Sequence, residues 1–173
     1  MSNKRGAFQI WGCEFIESVQ EEGYRCISEV AYTIDNTTKT RALFEINKGV
    51  GIENSEIEVN TKIPEGNRRV HFINMMYIAD GPSDIPAFSV VRKNGGATFA
   101  VYPKGNVEAM KQVEGLRKDG RIDMYAEADY RENTTAEMWI CEKIKELADK
   151  IVQEEKEKIR RVTGGSTPRH LTD

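Results

Sequence analysis

The stretch FINMMYIADGPSDIPAFSVVRKNGGATFAVY, residues 72–102, decides the fold. It opens with an apolar run, residues 72–79, which stops at Asp80 and the Gly-Pro pair behind it. Short runs with nearly continuous apolarity are typical of strands covered on both faces, as in a parallel sheet. The run therefore predicts a buried parallel strand with an acidic side chain at its carboxyl end.

A helix and a second strand are predicted directly behind that turn. Ser83 stands near the helix start, Pro86 falls in the first turn, and Gly95-Gly96 ends the helix. The short apolar run ATFAVY, residues 97–102, then favours another strand. A strand, a helix and a strand in this order predict a right-handed crossover within one parallel sheet.

The rest of the chain continues this alternation. The first predicted elements are a hairpin or two short strands within residues 10–34, a helix after DNTTKT that ends before Gly49, and a surface loop over residues 51–70. The later ones are a helix in 106–120, a strand in 121–128, and a helix from Thr134 with an apolar stripe of Ile140, Ile144, Leu147 and Ile151. Together they predict a three-layer α/β sandwich with a mostly parallel, Rossmann-like sheet. We expect one domain over residues 1–173, with a loose tail at 163–173.

Composition excludes several functional classes. A formal net charge of −3 over 173 residues argues against a nucleic-acid binder, which usually carries a basic face. No apolar run approaches the length of a membrane span, and the opening MSNKRGAFQIWG lacks the apolar core of a secretory signal. Three cysteines without a CxxC and two isolated histidines argue against disulfide, zinc and histidine-based nucleophilic chemistry. We expect a cytoplasmic protein.

The segment ADGPSD contains a pair of carboxylates. Asp80 at the strand end and Asp84 in the next turn are placed to face a common point, and carboxylate oxygens suit Mg²⁺. Gly81 allows a sharp backbone turn, and the hydroxyl of Ser83 is suited to a phosphate oxygen or a carboxylate. The residues alone leave an alternative open, since Asp, Gly, Pro and Ser are also the commonest turn and cap residues.

Lys39 is a second candidate. It falls in the first turn of its predicted helix, where the positive end of the helix dipole disfavours a cation. A local rule broken at one position can mark a functional site. An exposed, solvated lysine is the alternative, because the dipole preference is worth less than about 1 kcal/mol at the surface.

Three segments together resemble the second half of a haloacid dehalogenase-like phosphohydrolase, with the phosphoserine phosphatase-like branch as the nearest likeness. They occur in the family's order and lie within a resemblance over residues 10–170: YTIDNTTKTRALFEINKG, MMYIADGPSDIPAFSVVRKNGG and TFAVYPKG. ADGPSD is similar to the family's fourth motif, an acidic pair at a strand end. Lys39 stands where the third-motif lysine is expected, and the loop over 51–70 looks like an insertion between the two motifs.

The resemblance implies a role for each residue. Asp80 would ligate Mg²⁺, and Asp84 would support the ion directly or through water. Lys39 would neutralise the phosphoryl group and the aspartate nucleophile. Gly81 and Ser83 would contact the phosphate of a phosphorylated small molecule.

The sequence departs from the family at the step that forms the covalent bond. The family attacks phosphate with the first aspartate of a DxD motif on an N-terminal strand, whereas this sequence contains no DxD and its first aspartate is Asp35. The second-motif Ser or Thr has no counterpart either. The resemblance therefore implies a sheet that is incomplete at its N-terminal side, with an edge open to self-association or to a complementing N-terminal chain.

Three functional hypotheses follow. The first is a Mg²⁺-dependent phosphomonoester hydrolase in a truncated form that has little or no activity alone. The second is a catalytically silent binding or assembly module on the same scaffold. The third is an unrelated α/β domain whose turn merely resembles DGPSD.

Overall fold

The computed structural model describes residues 13–19, 23–52 and 56–163. In chain order, its regular elements are strands β1 (Glu14–Val19) and β2 (Arg25–Tyr32), helix α1 (Asn36–Lys48), strand β3 (Met76–Ala79), helix α2 (Ile85–Lys93), strand β4 (Ala97–Tyr102), helix α3 (Val107–Lys118), strand β5 (Met124–Glu127) and helix α4 (Thr135–Thr163). Short 3₁₀ turns cover Glu65–Asn67, Phe72–Asn74 and Pro82–Asp84.

The central sheet is parallel, with the strand order β3-β4-β5. On one face, Ala100 of β4 packs with Phe88 of α2 and Val113 of α3 in a buried cluster. On the other face, Phe99 stacks on Trp139 of α4 at a centroid distance of 4.8 Å. The predicted α/β class, with a parallel sheet flanked by helices, is confirmed.

The first strand of this sheet is shorter and less covered than the sequence predicts. β3 begins at Met76, because the chain at Phe72–Asn74 forms a 3₁₀ turn instead. Phe72 and Met75 are buried all the same, since they pack against α1 and α2 in a cluster with Leu43. The expectation of a strand covered on both faces is wrong for β3, whose Ile78 is 37% exposed.

Helix α1 is set by local sequence signals at both ends. The carboxylate of Asp35 accepts hydrogen bonds from the amides of Thr37 and Thr38, and the Thr38 hydroxyl accepts one from the Asp35 amide. This reciprocal capping box holds the first turn and lowers the pKa of Asp35. Gly49 ends the helix with φ of +81°, in the left-handed region where glycine carries no steric cost. The predicted helix and its glycine stop are confirmed.

Helix α4 leaves the core after its first turns. Ala136 is buried and Trp139 contacts the sheet, but Ile144 and Ile151 are 52% and 41% exposed. The predicted helix is confirmed, and the later part of its predicted apolar stripe is exposed within the described residues. Residues 164–173, most of the predicted tail, lie outside the described residues.

The hairpin and the long loop also agree with the sequence. β1 and β2 pair antiparallel within the region where a hairpin is predicted. Residues 56–64 contain neither helix nor strand, and a single 3₁₀ turn follows at Glu65–Asn67, as expected for a loop. Within the part of the chain that the structure describes, no helix combines the length and apolarity needed to cross a bilayer.

Candidate functional site

Two parts of the chain that are far apart in sequence meet at the carboxyl end of β3. Lys39 lies in the first turn of α1, and Asp84 ends the 3₁₀ turn between β3 and α2. The packing of α1 against α2 brings the Lys39 ammonium within 2.9 Å of Asp84 Oδ1. The predicted site residues Lys39 and Asp84 are therefore neighbours.

Asp84 is the buried centre of this cluster, with 1% of its surface exposed. Its Oδ1 accepts hydrogen bonds from Lys39 Nζ at 2.9 Å and from the Tyr77 hydroxyl at 2.6 Å. Its Oδ2 accepts a hydrogen bond from the Ser83 hydroxyl at 3.2 Å. A carboxylate offers about four lone-pair positions, so one position, on Oδ2, remains.

Tyr77 is a member of the cluster that the sequence did not predict. Its ring packs edge-on against Phe88, and its hydroxyl points at Asp84. Burial, the hydrogen bond to Asp84, and the charges of Asp84 and Asp80 all raise the pKa of Tyr77 far above its usual value. The phenol therefore stays protonated and donates. A tyrosine inside an apolar run was the available signal, because a buried hydroxyl usually finds a polar partner.

Ser83 lies beside the Lys39 ammonium, and Gly81 lies two residues before Ser83 in the same turn. The exposed Ser83 hydroxyl lies 3.5 Å from Lys39 Nζ. Gly81 has extended backbone with φ of −164°, and a Cβ built on it would meet nothing within 4 Å. The turn therefore does not depend on the conformational freedom of glycine, because any residue can adopt this conformation. What the glycine leaves is open space above the backbone.

Asp80 is the exposed carboxylate of the predicted pair. It directly follows β3, and in an open parallel sheet ligands usually bind at the carboxyl ends of the strands. Its charge is near enough to Tyr77 to raise the pKa of the phenol. The two aspartates therefore differ in kind, since Asp84 is buried and hydrogen-bonded whereas Asp80 faces solvent.

These residues allow a loosely held Mg²⁺ but do not enclose one. Among residues 13–19, 23–52 and 56–163, no three His, Cys, Asp or Glu side chains are grouped as metal ligands. Mg²⁺ commonly takes only one or two carboxylates and keeps several waters. Asp80 is exposed, as a direct ligand of that kind must be, whereas Asp84 is 1% exposed and three of its lone-pair positions already accept hydrogen bonds. The predicted metal role of both residues stays a prediction.

A polar cavity of about 420 Å³ opens at the carboxyl ends of β4 and β5, on the same side of the sheet as Asp80. Tyr102, Tyr125, Glu127 and Asp129 are among its lining residues. Asp129 pairs with Arg131, and the hydrogen bonds from that side chain and its backbone lower the pKa of Asp129 to about 2. The cavity thus lies beside Asp80 on the sheet edge but has its own acidic wall.

Comparisons with known proteins give one informative result. An uncharacterized protein of Borreliella burgdorferi is 37% identical to the chain over 149 residues, which cover 79% of this chain and 49% of the relative. The chain therefore spans about half the length of the relative. No known protein family matches the chain, and no solved structure matches it.

Proposed function

We propose that the chain is part of a Mg²⁺-dependent phosphomonoester hydrolase of the haloacid dehalogenase-like kind, with little or no activity by itself. The observation that supports this most is the contact of Lys39 with Asp84, at 2.9 Å across 45 positions of sequence. The segments that contain Lys39 and Asp84 resemble separate family motifs, and they lie side by side at the carboxyl end of a parallel strand. A chance turn of the form DGPSD gives no reason for that meeting.

In this proposal each side chain has a separate task. Asp80 would hold the metal ion at the carboxyl end of β3, and Mg²⁺ would supply charge neutralisation for the phosphoryl oxygens. Lys39 and Ser83 face the phosphate, and Gly81 adds no side chain to the turn between Asp80 and Ser83. Asp84 and Tyr77 act as positioning residues, because they fix the ammonium group of Lys39 without needing to touch the phosphate.

The proposal also explains why the chain is expected to bind without turnover. Phosphoryl transfer through a covalent intermediate needs a nucleophile in line with the leaving oxygen, and electrostatic stabilisation supplies only part of the rate. The sequence has no DxD to provide that nucleophile. We expect phosphate and Mg²⁺ to bind together and a phosphomonoester to remain intact.

Calorimetric titration of the purified chain tests the metal site. Mg²⁺ is expected to bind in the presence of inorganic phosphate, and Asp80→Asn is expected to weaken binding by about tenfold, since it removes the charged ligand. The matched control is Asp149→Asn, which removes an exposed carboxylate of α4. Equal binding by the two variants and the unmodified chain would contradict the proposed site. Mg²⁺-dependent hydrolysis that Asp80→Asn abolishes would show instead that the chain is active alone.

A catalytically silent assembly module is the second candidate, and the hairpin favours it. Large apolar side chains of β1, β2 and their connection are exposed: Phe15, Ile16, Val19, Tyr24, Ile27, Val30 and Tyr32. Phe15 and Ile16 are adjacent in β1 and therefore point to opposite faces, so the hairpin exposes large apolar side chains on both of its faces. The module could assemble with copies of itself or bind a different partner, and sedimentation velocity over a concentration series distinguishes these two cases. A chain that stays monomeric excludes self-assembly and leaves only a different partner.

A further inference from the structure

The outer edge of β3 has unused backbone hydrogen-bonding groups. In a parallel ladder, alternate residues bond to the two neighbouring strands. The Ala97 amide donates to the Met75 carbonyl, so the odd-numbered residues of this segment face β4. Met76 and Ile78 therefore turn their N–H and C=O groups toward the other edge. Within the described residues no strand pairs with that edge.

Helix α1 extends beyond this edge instead of covering the sheet. It packs mainly against α2 and the 3₁₀ turn before it, rather than against one of the three parallel strands. Helices of α/β domains normally lie over strands, whose side chains they bury. The space that a strand would occupy beneath α1, next to β3, is left as a groove.

The groove has the size and chemistry of a site for an extended chain. Its volume is about 470 Å³, and its lining comes from α1, from the first residues of β3 with the segment before them, and from the end of β2 and the residues that follow it. Its lining is mostly apolar: Tyr32, Ile34, Ala42, Leu43, Ile46, Val70, Met75, Met76 and Tyr77, with Thr38, Lys39 and Asn74 as the polar members. An apolar wall beside free backbone groups is the arrangement that binds a peptide by strand addition.

We infer that this groove binds an apolar β-strand supplied by polypeptide that this chain does not contain, and that the strand pairs with β3. The relative from Borreliella burgdorferi supports this source, because the matched part is only 49% of its length and the remainder is available to supply a strand. A second copy of this chain fits less well, since its β3 would bring its own overhanging α1 to the same edge. The inference does not depend on the phosphatase proposal.

The inference is tested by amide hydrogen exchange on the full 173-residue chain. The probes are overlapping peptides of about eight residues, which at about 3.3 Å per residue are long enough to pair along the whole of β3. They are taken from the part of the Borreliella burgdorferi protein outside the match. At least one apolar peptide is expected to slow exchange at Met76 and Ile78 by about tenfold or more. The Tyr77 amide is the internal control, because it already faces β4.

Two variants of α1 show whether the groove is the binding site. Ala42→Arg places a charged side chain in the groove and is expected to abolish the protection, whereas Thr37→Arg adds the same side chain outside the groove. Failure of every peptide to protect Met76 and Ile78 overturns the inference. Protection that rises with the concentration of the chain alone also overturns it, because a second copy would then occupy the edge.

Discussion

Replacing Asp84 with alanine is expected to lower the free energy of unfolding by about 3 kcal/mol. The carboxylate is 1% exposed and accepts hydrogen bonds from Lys39, Tyr77 and Ser83. Alanine leaves the Tyr77 hydroxyl half-buried without an acceptor. The ammonium of Lys39 loses its partner too, but its side chain is 31% exposed and can turn to water, which limits the cost.

Chemical denaturation with a constant m-value measures the Asp84→Ala loss, and a thermal scan should show a fall of about 6–12 °C. Asp84→Asn keeps the shape and one acceptor oxygen, so we expect a smaller loss. Asp80→Asn is the matched control, because it alters an exposed carboxylate four residues away and should change stability by less than about 0.5 kcal/mol. Similar losses for Asp80→Asn and Asp84→Ala would show that Asp84 does not hold the cluster together.

The sequence predicted the parts of the fold that depend on local chemistry. α1 begins at its Asx and Thr caps and ends at Gly49, and α2 ends before Gly95, because these signals act over a few residues. Lys39 in a first turn was an anomaly with an identifiable cause, since its partner Asp84 outweighs the dipole preference at that position. Lys39 was recognisable as a candidate from the sequence for this reason.

The parts that depend on tertiary packing were not predictable from the pattern. Phe72 and Ile78 belong to one apolar run, yet Phe72 lies in a 3₁₀ turn of the core and Ile78 is on a half-open strand. Burial of Asp84 and exposure of Asp80 likewise follow from where α1 packs, which the six letters ADGPSD do not specify. Helical spacing placed Ile144 and Ile151 on one face but did not show what covers that face.

The unpaired edge of β3 in the described sheet bears on both the fold and the candidate site. The resemblance implied a sheet that is incomplete at its N-terminal side with an open edge, and the described sheet has β3 at its edge with a groove beneath α1. If the proposed strand binds there, its end lies near Lys39, which is one of the groove's lining residues. Completion of the sheet and completion of the candidate site would then be a single event.

Gly96 lies in close contact with the backbone segment that leads into β3. A Cβ on Gly96 would lie 2.4 Å from the Phe72 carbonyl oxygen, 2.6 Å from Val91 Cγ1 and 2.9 Å from the Met75 carbonyl oxygen. Two of these three neighbours are backbone atoms of the segment that leads into β3, so no side-chain rotation relieves them. Gly96→Ala is expected to lower the free energy of unfolding by about 3 kcal/mol through forced backbone displacement.

Gly115→Ala is the matched control for Gly96→Ala. Gly115 lies inside α3, and a Cβ there would meet nothing within 4 Å. Alanine in a helix interior is favoured over glycine by about 0.5–1 kcal/mol, so this variant should be more stable than the unmodified chain. Denaturation curves of the two variants should therefore shift in opposite directions. If Gly96→Ala leaves stability unchanged or raises it, the approach of Gly96 to the Phe72–Met75 backbone is not tight enough to exclude a Cβ.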